Sequence, residues 1–186
     1  MENIYESTRA LGEYLLFHYG SREEQFPWTD GPFDALDFPR RTVEELIDPT
    51  SSIENALDVG CAVGRSSFVL AELADSVLGV DYSSSFIDAA KAISESGELD
   101  YEYHEEADCW KKGKAIIDRI PDNLQFELGD ACNLRDDLGS FDLVHAANLL
   151  CRLPNPKAFL ERLNQLVAPG GQLLLTTPFT WLEEFA

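Results

Sequence analysis

Basic residues are scarce in this sequence, which has 14 lysines and arginines against 34 aspartates and glutamates and a net charge of −20. Because so much negative charge repels phosphate backbones and anionic lipid head groups, nucleic acids and membrane surfaces are poor candidate partners. The excess of acid is explained most simply by solubility, and it is compatible with a cationic or zwitterionic substrate. We therefore expect a small-molecule partner, no nucleic acid and no membrane.

Long apolar runs are absent as well. No window reaches eighteen consecutive apolar residues, so the sequence predicts no membrane span. The N-terminal stretch MENIYESTRALGEY is acidic and amphipathic, and it lacks the basic and then apolar layout of a signal peptide. These two absences predict a cytoplasmic protein.

Cysteine and histidine are too scattered to predict a metal centre. The three histidines do not cluster in sequence with the cysteines, and no cysteine pair has C-x-x-C spacing. A cytoplasmic chain keeps such thiols reduced. We expect no metal site and no disulfide among the four cysteines, which are Cys61, Cys109, Cys132 and Cys151.

Predicted strands and helices alternate in the second part of the chain. The strands are NALDV, SVLGV, LQFEL, FDLVHAAN and GQLLLTT, and the helices include GRSSFVLAELA, SSFIDAAKAISESG and PKAFLERLNQLV. Apolar strands alternating with helices indicate a parallel sheet covered on both faces. Right-handed crossovers then favour a doubly wound, mostly parallel, Rossmann-like α/β sheet, whose ligands bind outside the carboxyl ends of the strands.

The remaining segments have less regular patterns. Residues 3–19 predict an amphipathic helix that ends at Gly20, residues 21–40 an irregular loop with three prolines, and RTVEELI a short helix. A charged and aromatic stretch, ELDYEYHEEADCWKKGKAIIDRIP, interrupts the crossover before the third strand. It is either a substrate lid or an amphipathic surface helix, and its aromatic residues are Tyr101, Tyr103, His104 and Trp110.

The first strand leads into a sharp, glycine-containing turn, DVGCAVG, over residues 58–64. Glycines at 60 and 64 leave space for a ligand to approach the backbone. Their spacing is G-x-x-x-G, and Arg65 stands where the last glycine of G-x-G-x-x-G would be, which disfavours NAD and FAD. Asp81 ends the next strand, where an acid hydrogen-bonds ribose hydroxyls. A ribose without a pyrophosphate indicates S-adenosylmethionine.

These motifs resemble those of the class I methyltransferases, in the same order, over residues 54–178. FELGDACNL is similar to the motif that holds the adenine amino group, FDLVHAANLL to the fourth strand, and LNQLVAPGGQLLLTTP to the helix, turn and strand that follow. The resemblance implies a strand order of 3-2-1-4-5 and S-adenosylmethionine as the cofactor. The cofactor-binding residues that it implies are Asp58, Gly60, Cys61, Ala62, Gly64, Asp81, Tyr82, Asp130, Ala131 and Asn148.

A narrower resemblance covers essentially the whole chain. NIYESTRALGEYLLFHYG, ALDFPRR and NLLCRLPNPKAFL are similar to the methyltransferases of ovothiol biosynthesis, the 4-mercaptohistidine N1-methyltransferase family. That resemblance implies methyl transfer to an imidazole nitrogen of a thiohistidine. It also implies a single methyltransferase domain over residues 1–186, with a helical and loop cap over 1–50 and a cofactor-binding core over 51–186.

Several side chains have more than one possible role. The candidates for acceptor binding and catalysis are Asn148, Arg152 and Arg40, with Arg41 as a further possible clamp for anions. Asp58 either holds the loop amides or contacts the cofactor through water, and the alternative for Asp130 is a helix N-cap. His145 is expected to be a core histidine. On the N-terminal helix, the side chains that either form a lid wall or only pack are Tyr14, His18 and Tyr19.

The family's sheet continues past its fifth strand with a hairpin, whereas this sequence stops at TTPFTWLEEFA. We therefore expect a truncated form, which leaves a catalytically silent cofactor-binding module as the alternative function. The fifth strand, GQLLLTT, would then have a bare edge. Self-association through that strand, or exchange of the Phe179–Phe185 tail, is the expected consequence.

Overall fold

A central sheet of five parallel strands organises the computed structural model, which describes residues 4–181. The strands in spatial order are β5 (Leu124–Leu128), β2 (Ala74–Asp81), β1 (Ile53–Val59), β6 (Phe141–Ala147) and β7 (Val167–Thr176). Each neighbouring pair is parallel. Counted along the chain without the intervening hairpin, this order is 3-2-1-4-5, so the predicted doubly wound α/β fold is confirmed.

Helices cover both faces of this sheet. Successive side chains of a strand point to opposite faces, so Ala56 and Leu57 of β1 belong to different apolar clusters. The first cluster includes α4 (Arg65–Ala71) and α5 (Ser84–Ser96), and the second includes α6 (Pro156–Leu166). The predicted burial of the sheet on both faces is therefore confirmed.

Local sequence signals set the ends of the long helices. The hydroxyl of Ser83 accepts a hydrogen bond from the Phe86 N–H at the start of α5, and Gly97 ends the helix with φ +82°. Asn155 caps α6 in the same way by accepting from the Ala158 N–H, and Pro156 follows at the first helical position. These residues lie at the ends of the helices SSFIDAAKAISESG and PKAFLERLNQLV that the sequence predicted.

The N-terminal part contains more helices than predicted. In place of the single helix expected over residues 3–19, the structure has a 3-10 turn at Ile4–Glu6 followed by α1 (Thr8–Tyr19). The Ser7 hydroxyl accepts from the Ala10 N–H and thereby caps the start of α1. A capping box formed by Ser21 and Glu24 starts α2 (Arg22–Gln25) inside the expected loop. The short helix α3 (Phe38–Glu44) begins earlier than RTVEELI.

The charged aromatic stretch is an antiparallel hairpin rather than a surface helix. Its strands are β3 (Glu98–Glu106) and β4 (Cys109–Ile116). Tyr101 and Tyr103, two residues apart, are both buried in the first apolar cluster, to which α1 also contributes. The interpretation as an amphipathic helix is wrong because the apolar side chains repeat every second residue. Within residues 4–181, no helix has the length and apolar content that a membrane span requires.

Candidate functional site

The turn after β1 is held together by its own amides. The N–H groups of Gly60 and Cys61 both donate to the Val80 carbonyl oxygen, at 2.7 and 3.1 Å, and the Ala62 N–H donates to Asp81 Oδ2 at 2.9 Å. The amides of Cys61 and Ala62, expected from the sequence to line a ligand pocket, therefore hold the turn against β2. Ala62 has φ +48°, which is the left-handed region.

The backbone conformation of the turn and its close packing both require the two glycines. Both have positive φ values, +75° at Gly60 and +88° at Gly64. A Cβ at Gly64 would lie 2.8 Å from the Phe126 ring, and one at Gly60 would lie 2.9 Å from Leu149 Cδ1. Close packing and backbone conformation thus account for both glycines, and cofactor approach stays a prediction.

Asp81 connects the turn to the start of α5. Its Oδ1 accepts from the Ser83 N–H and its Oδ2 from the Ala62 N–H, both at 2.9 Å. Burial raises the pKa of Asp81, although these two backbone donors oppose the rise. A carboxylate oxygen accepts more than one hydrogen bond, so each oxygen keeps capacity for a ligand hydroxyl.

An open cleft of about 350 Å³ lies at Tyr82, the residue after Asp81. Its walls include Tyr82 and Asp130, both predicted to bind the cofactor, and Tyr82 is 64% exposed. Asp130 Oδ1 accepts from the Cys132 N–H at 2.8 Å, so this residue is also the N-cap of a 3-10 turn, as the alternative had it. Ala131, the first residue of that turn, is buried in the second apolar cluster.

Asp58 does not hold the loop amides, contrary to one of its two predicted roles. It is buried at 1% exposure, and its Oδ2 accepts from the Ser66 and Ser67 hydroxyls at 2.7 and 2.6 Å. Its Oδ1 lies 2.7 Å from His145 Nδ1. Burial raises the pKa of Asp58, but His145 and the two hydroxyls outweigh burial and leave the pKa lowered.

His145 is buried, as expected, and it extends this polar chain to α3. Its Nε2 lies 2.9 Å from the Thr42 hydroxyl, which donates to the Pro39 carbonyl oxygen at 3.0 Å. The hydroxyl therefore lies within hydrogen-bond distance of both the Pro39 carbonyl oxygen and the His145 ring. His145 therefore holds protein groups through both ring nitrogens, between the end of β1 and α3.

Asn148 and Arg152 follow β6 at the carboxyl end of the sheet. Asn148 has φ +55°, and its N–H donates to the Thr176 carbonyl oxygen at 2.9 Å. Arg152 ends the 3-10 turn Leu150–Arg152. Burial, the largest effect, raises the pKa values of Tyr5 and Tyr14, and the charge of Arg152 opposes part of this rise.

Arg40 and Arg41 lie elsewhere. Arg40 makes an ion pair with Glu44 at 2.7 Å and lines a separate groove with Arg65 and Arg119. Arg41 pairs with Glu45 on the exposed side of α3. Arg152 and Asp81 thus both act electrostatically on Tyr5 and Tyr14, whereas neither α3 arginine lines the cleft.

Two N-terminal features near the site were missed by the sequence analysis. Glu6 lines the same cleft as Asp130. The Tyr5 ring contacts the Tyr14 and Phe86 rings, with centroids 5.9 Å apart in each case. Glu6, directly before Ser7, is visible in the sequence as an acidic residue, but only the tertiary structure shows that its carboxylate contacts the start of α5. On the same segment, Tyr19 donates to the Val63 carbonyl oxygen at 2.8 Å, which places one expected lid residue on the turn.

Metal-binding side chains do not gather near this site. Over residues 4–181, no group of three or more histidine, cysteine, aspartate or glutamate side chains could hold a metal ion. The arrangement instead offers Asp130 on the wall of an open cleft and Asp81 directly before Tyr82, which lines the same cleft at the carboxyl ends of parallel strands. Such an arrangement suits a nucleoside.

Comparison with known proteins agrees with this geometry. The family model described as a methyltransferase domain matches residues 34–185. A ubiquinone biosynthesis O-methyltransferase of Coxiella burnetii is 30% identical over 124 residues, which cover 67% of this chain and 43% of the relative. A tRNA U34 carboxymethyltransferase of Idiomarina loihiensis is 29% identical over 169 residues, which cover 85% of this chain and 46% of the relative. The chain thus spans less than half the length of these curated relatives.

Solved structures give the same fold. Phosphoethanolamine N-methyltransferase 1 of Haemonchus contortus, with phosphoethanolamine and S-adenosylhomocysteine, has a TM-score of 0.56 and 19% identity over 92% of this chain and 33% of its own. The DhpI–SAH complex has a TM-score of 0.54 and 19% identity over 92% of this chain and 69% of its own. With the family model and the geometry of the cleft, the conclusion is that the chain belongs to the class I S-adenosylmethionine-dependent methyltransferases and that S-adenosylmethionine is the cofactor of its site.

Proposed function

We propose that this protein transfers a methyl group from S-adenosylmethionine to an imidazole nitrogen of a thiohistidine-type small molecule. The observation that carries the proposal is Arg152, a cation in the turn after β6 whose charge acts on Tyr5 together with that of Asp81, in a chain with a net charge of −20. A thiohistidine has a carboxylate and an acidic thiol, and a guanidinium is well suited to hold either.

The reaction needs alignment more than it needs a base. When bound, S-adenosylmethionine supplies an electrophilic methyl carbon on a sulfonium. The ring nitrogen uses its lone pair to form the new N–C bond, and the electrons of the broken C–S bond stay on sulfur. The second ring nitrogen then releases its proton to water. Alignment of such reactants is worth up to about 7–11 kcal/mol, and here Asp81, Asp130 and Arg152 would provide it.

The titratable groups near the cleft favour an acceptor that brings its own lone pair. Burial raises the pKa values of the Tyr5 and Tyr14 phenols, so both stay protonated at neutral pH. His145 is engaged by Asp58 and Thr42. Burial lowers the pKa of His18 to about 3, and this ring is only 8% exposed. An imidazole nitrogen needs no base, in contrast to an alcohol.

The names of the relatives refer to chemically different compounds, so the relatives do not identify the methyl acceptor of this chain. They include a ubiquinone biosynthesis O-methyltransferase, a tRNA U34 carboxymethyltransferase, a trans-aconitate 2-methyltransferase and a phosphoethanolamine N-methyltransferase, and none of these names refers to a thiohistidine. Our support for thiohistidine is the flanking sequence, such as NLLCRLPNPKAFL, together with Arg152. The alternative is a module that binds the cofactor without catalysis.

The experiment is incubation with methyl-labelled S-adenosylmethionine and 5-thiohistidine, followed by mass spectrometry of the product. We expect a label on a ring nitrogen, and a label on sulfur or none on either would contradict the proposal. Tight S-adenosylhomocysteine binding without turnover would support the silent module. Asp81→Ala should abolish cofactor binding in isothermal titration.

The role of Arg152 is tested in the same assay. Arg152→Gln should raise KM for the thiohistidine by about tenfold or more, because a hydrogen bond to a charged group is worth about 1.5–3 kcal/mol. Arg9→Gln is the matched control, since Arg9 pairs with Glu13 on the exposed side of α1. An unchanged KM in Arg152→Gln would remove this residue from the acceptor site.

A further inference from the structure

The carboxylate of Glu6 caps the first turn of α5. Its Oε1 accepts from the Ser84 N–H at 2.8 Å. Its Oε2 accepts from the Ser84 hydroxyl at 2.9 Å, the Ser85 hydroxyl at 2.7 Å and the Ser85 N–H at 3.3 Å. The hydroxyl of Ser85 is the largest of the effects that lower the pKa of Glu6 to about 2, so the group is an anion at any physiological pH. An anion at this end of a helix is favoured by the helix dipole.

The residue before Glu6 is fixed to the same helix. The Ser83 hydroxyl donates to the Tyr5 carbonyl oxygen at 3.1 Å. The Tyr5 ring packs on Phe86, whose side chain is 2% exposed. The turn Ile4–Glu6 is therefore attached to α5 through its backbone, an aromatic ring and a carboxylate.

This attachment lies at the cofactor site. Glu6 and Ser84 line the same cleft as Tyr82, Gly129 and Asp130. Ser83 also donates its backbone N–H to Asp81 Oδ1, so one serine contacts both the N-terminal turn and the predicted ribose ligand. Movement of the turn would thus open one wall of the cleft and disturb the neighbour of Asp81.

We propose that Glu6 is a positioning residue that latches the turn Ile4–Glu6 onto α5 and thereby retains the cofactor in its cleft. This inference rests on the cofactor-binding part of the proposed function and is independent of the methyl acceptor. Glu6 acts through Ser84 and Ser85. It takes no part in the transfer of the methyl group, so its loss should change cofactor retention and leave the chemical step unchanged.

The test is the dissociation rate of S-adenosylhomocysteine, measured by stopped-flow chase with excess S-adenosylmethionine. Glu6→Ala should release the ligand about fivefold faster, which is the effect expected from losing one helix cap. Glu6→Gln keeps one acceptor oxygen, so its dissociation rate should lie between those of the wild-type protein and Glu6→Ala. Glu13→Ala is the matched control, because Glu13 is exposed on α1 and pairs only within that helix in the contacts that the structure gives. In turnover, Glu6→Ala should raise KM for the cofactor with little change in kcat.

Hydrogen exchange separates a latch from a general loss of stability. In the wild-type protein, S-adenosylhomocysteine should slow amide exchange in residues 4–12, and in Glu6→Ala this protection should be lost while that of β1 persists. A wild-type dissociation rate in Glu6→Ala, or an equal acceleration in Glu13→Ala, would overturn the latch. A wild-type protein that does not bind S-adenosylhomocysteine would overturn it as well. Failure to methylate 5-thiohistidine affects only the acceptor assignment.

Discussion

At the scale of single residues, His18 is an ionisable group that folding keeps neutral. It is 8% exposed between the rings of Tyr14, Phe17 and Tyr19, and its Nδ1 has no hydrogen-bond partner in the described part of the chain. Burial lowers its pKa from 6.5 to about 3. A histidine in such a site costs stability whenever the unfolded chain binds a proton that the folded chain cannot.

Acidification should destabilise the folded protein through His18. Between pH 3 and 6.5 the unfolded state holds more protons at His18, so the free energy of unfolding falls as the pH is lowered. The loss from this residue should reach about 2 kcal/mol by pH 5. His18→Phe keeps a ring among the aromatic neighbours and removes the titration.

Urea unfolding at pH 7.5 and at pH 5 measures this effect. The wild-type protein should lose about 2 kcal/mol more between the two conditions than His18→Phe. The carboxylates with lowered pKa values, such as Asp58, titrate at lower pH and are common to both proteins. Equal losses in the two proteins would mean that His18 is not buried as a neutral ring.

Residue identities at the turn were predictable, but their partners were not. The sequence singled out Asp58 and Asp81 because each lies at the carboxyl end of a strand in a parallel sheet. It could not assign the turn amides to Asp81 and the serine hydroxyls to Asp58. Those assignments depend on the pairing of β1 with β2 and β6, which brings together groups distant in sequence.

At the scale of elements, α1 packs closely on the hairpin because of Gly12. A Cβ at this position would fall well inside contact distance of the Glu102 carbonyl oxygen in β3, and the backbone there has no flexible side chain to move aside. In an isolated helix, Gly→Ala would stabilise by about 1 kcal/mol. Overpacking against a backbone costs about 1–3 kcal/mol, so the clash should outweigh the helix propensity.

Gly12→Ala should therefore lower the free energy of unfolding by up to about 2 kcal/mol, and denaturant titration measures the change. Ala10→Gly is a useful counterpart, because it lies in the same helix and alters propensity without adding an atom. A stabilised Gly12→Ala would show that α1 does not contact β3 closely.

The hairpin also illustrates what a sequence pattern can and cannot predict about an element. Charged residues dominate its strands, and only Tyr101, Tyr103 and Ala115 are buried on it. Strands of the central sheet are apolar on both faces and were predicted well, whereas this pair is apolar on one face over a few positions. Its burial comes from α5 and from α1, which is far away in the chain.

At the scale of the whole molecule, β7 is an outer strand of the sheet formed by residues 4–181. β7 pairs with β6, and no second neighbour of β7 occurs within residues 4–181. Leu173 is 40% exposed, and past the strand Phe179 and Trp181 are 78% and 48% exposed. The rest of the tail expected to exchange between chains lies outside the described residues.

Within residues 4–181 the outer edge of β7 has no strand beside it, and unpaired N–H and C=O groups on an apolar strand are a template for a second chain, so we propose that this chain self-associates through β7. The net charge of −20 on each chain opposes that association. Because the screening length falls to about 10 Å at 0.1 M salt, dimer formation should strengthen as salt is added.

Light scattering at tens of micromolar protein should give a mass above that of the monomer. Leu173→Lys, which places a charge on the edge, should restore the monomer, whereas Leu160→Lys on the exposed side of α6 should not. A monomer at this concentration in both low and high salt would show that the edge of β7 does not recruit a second copy.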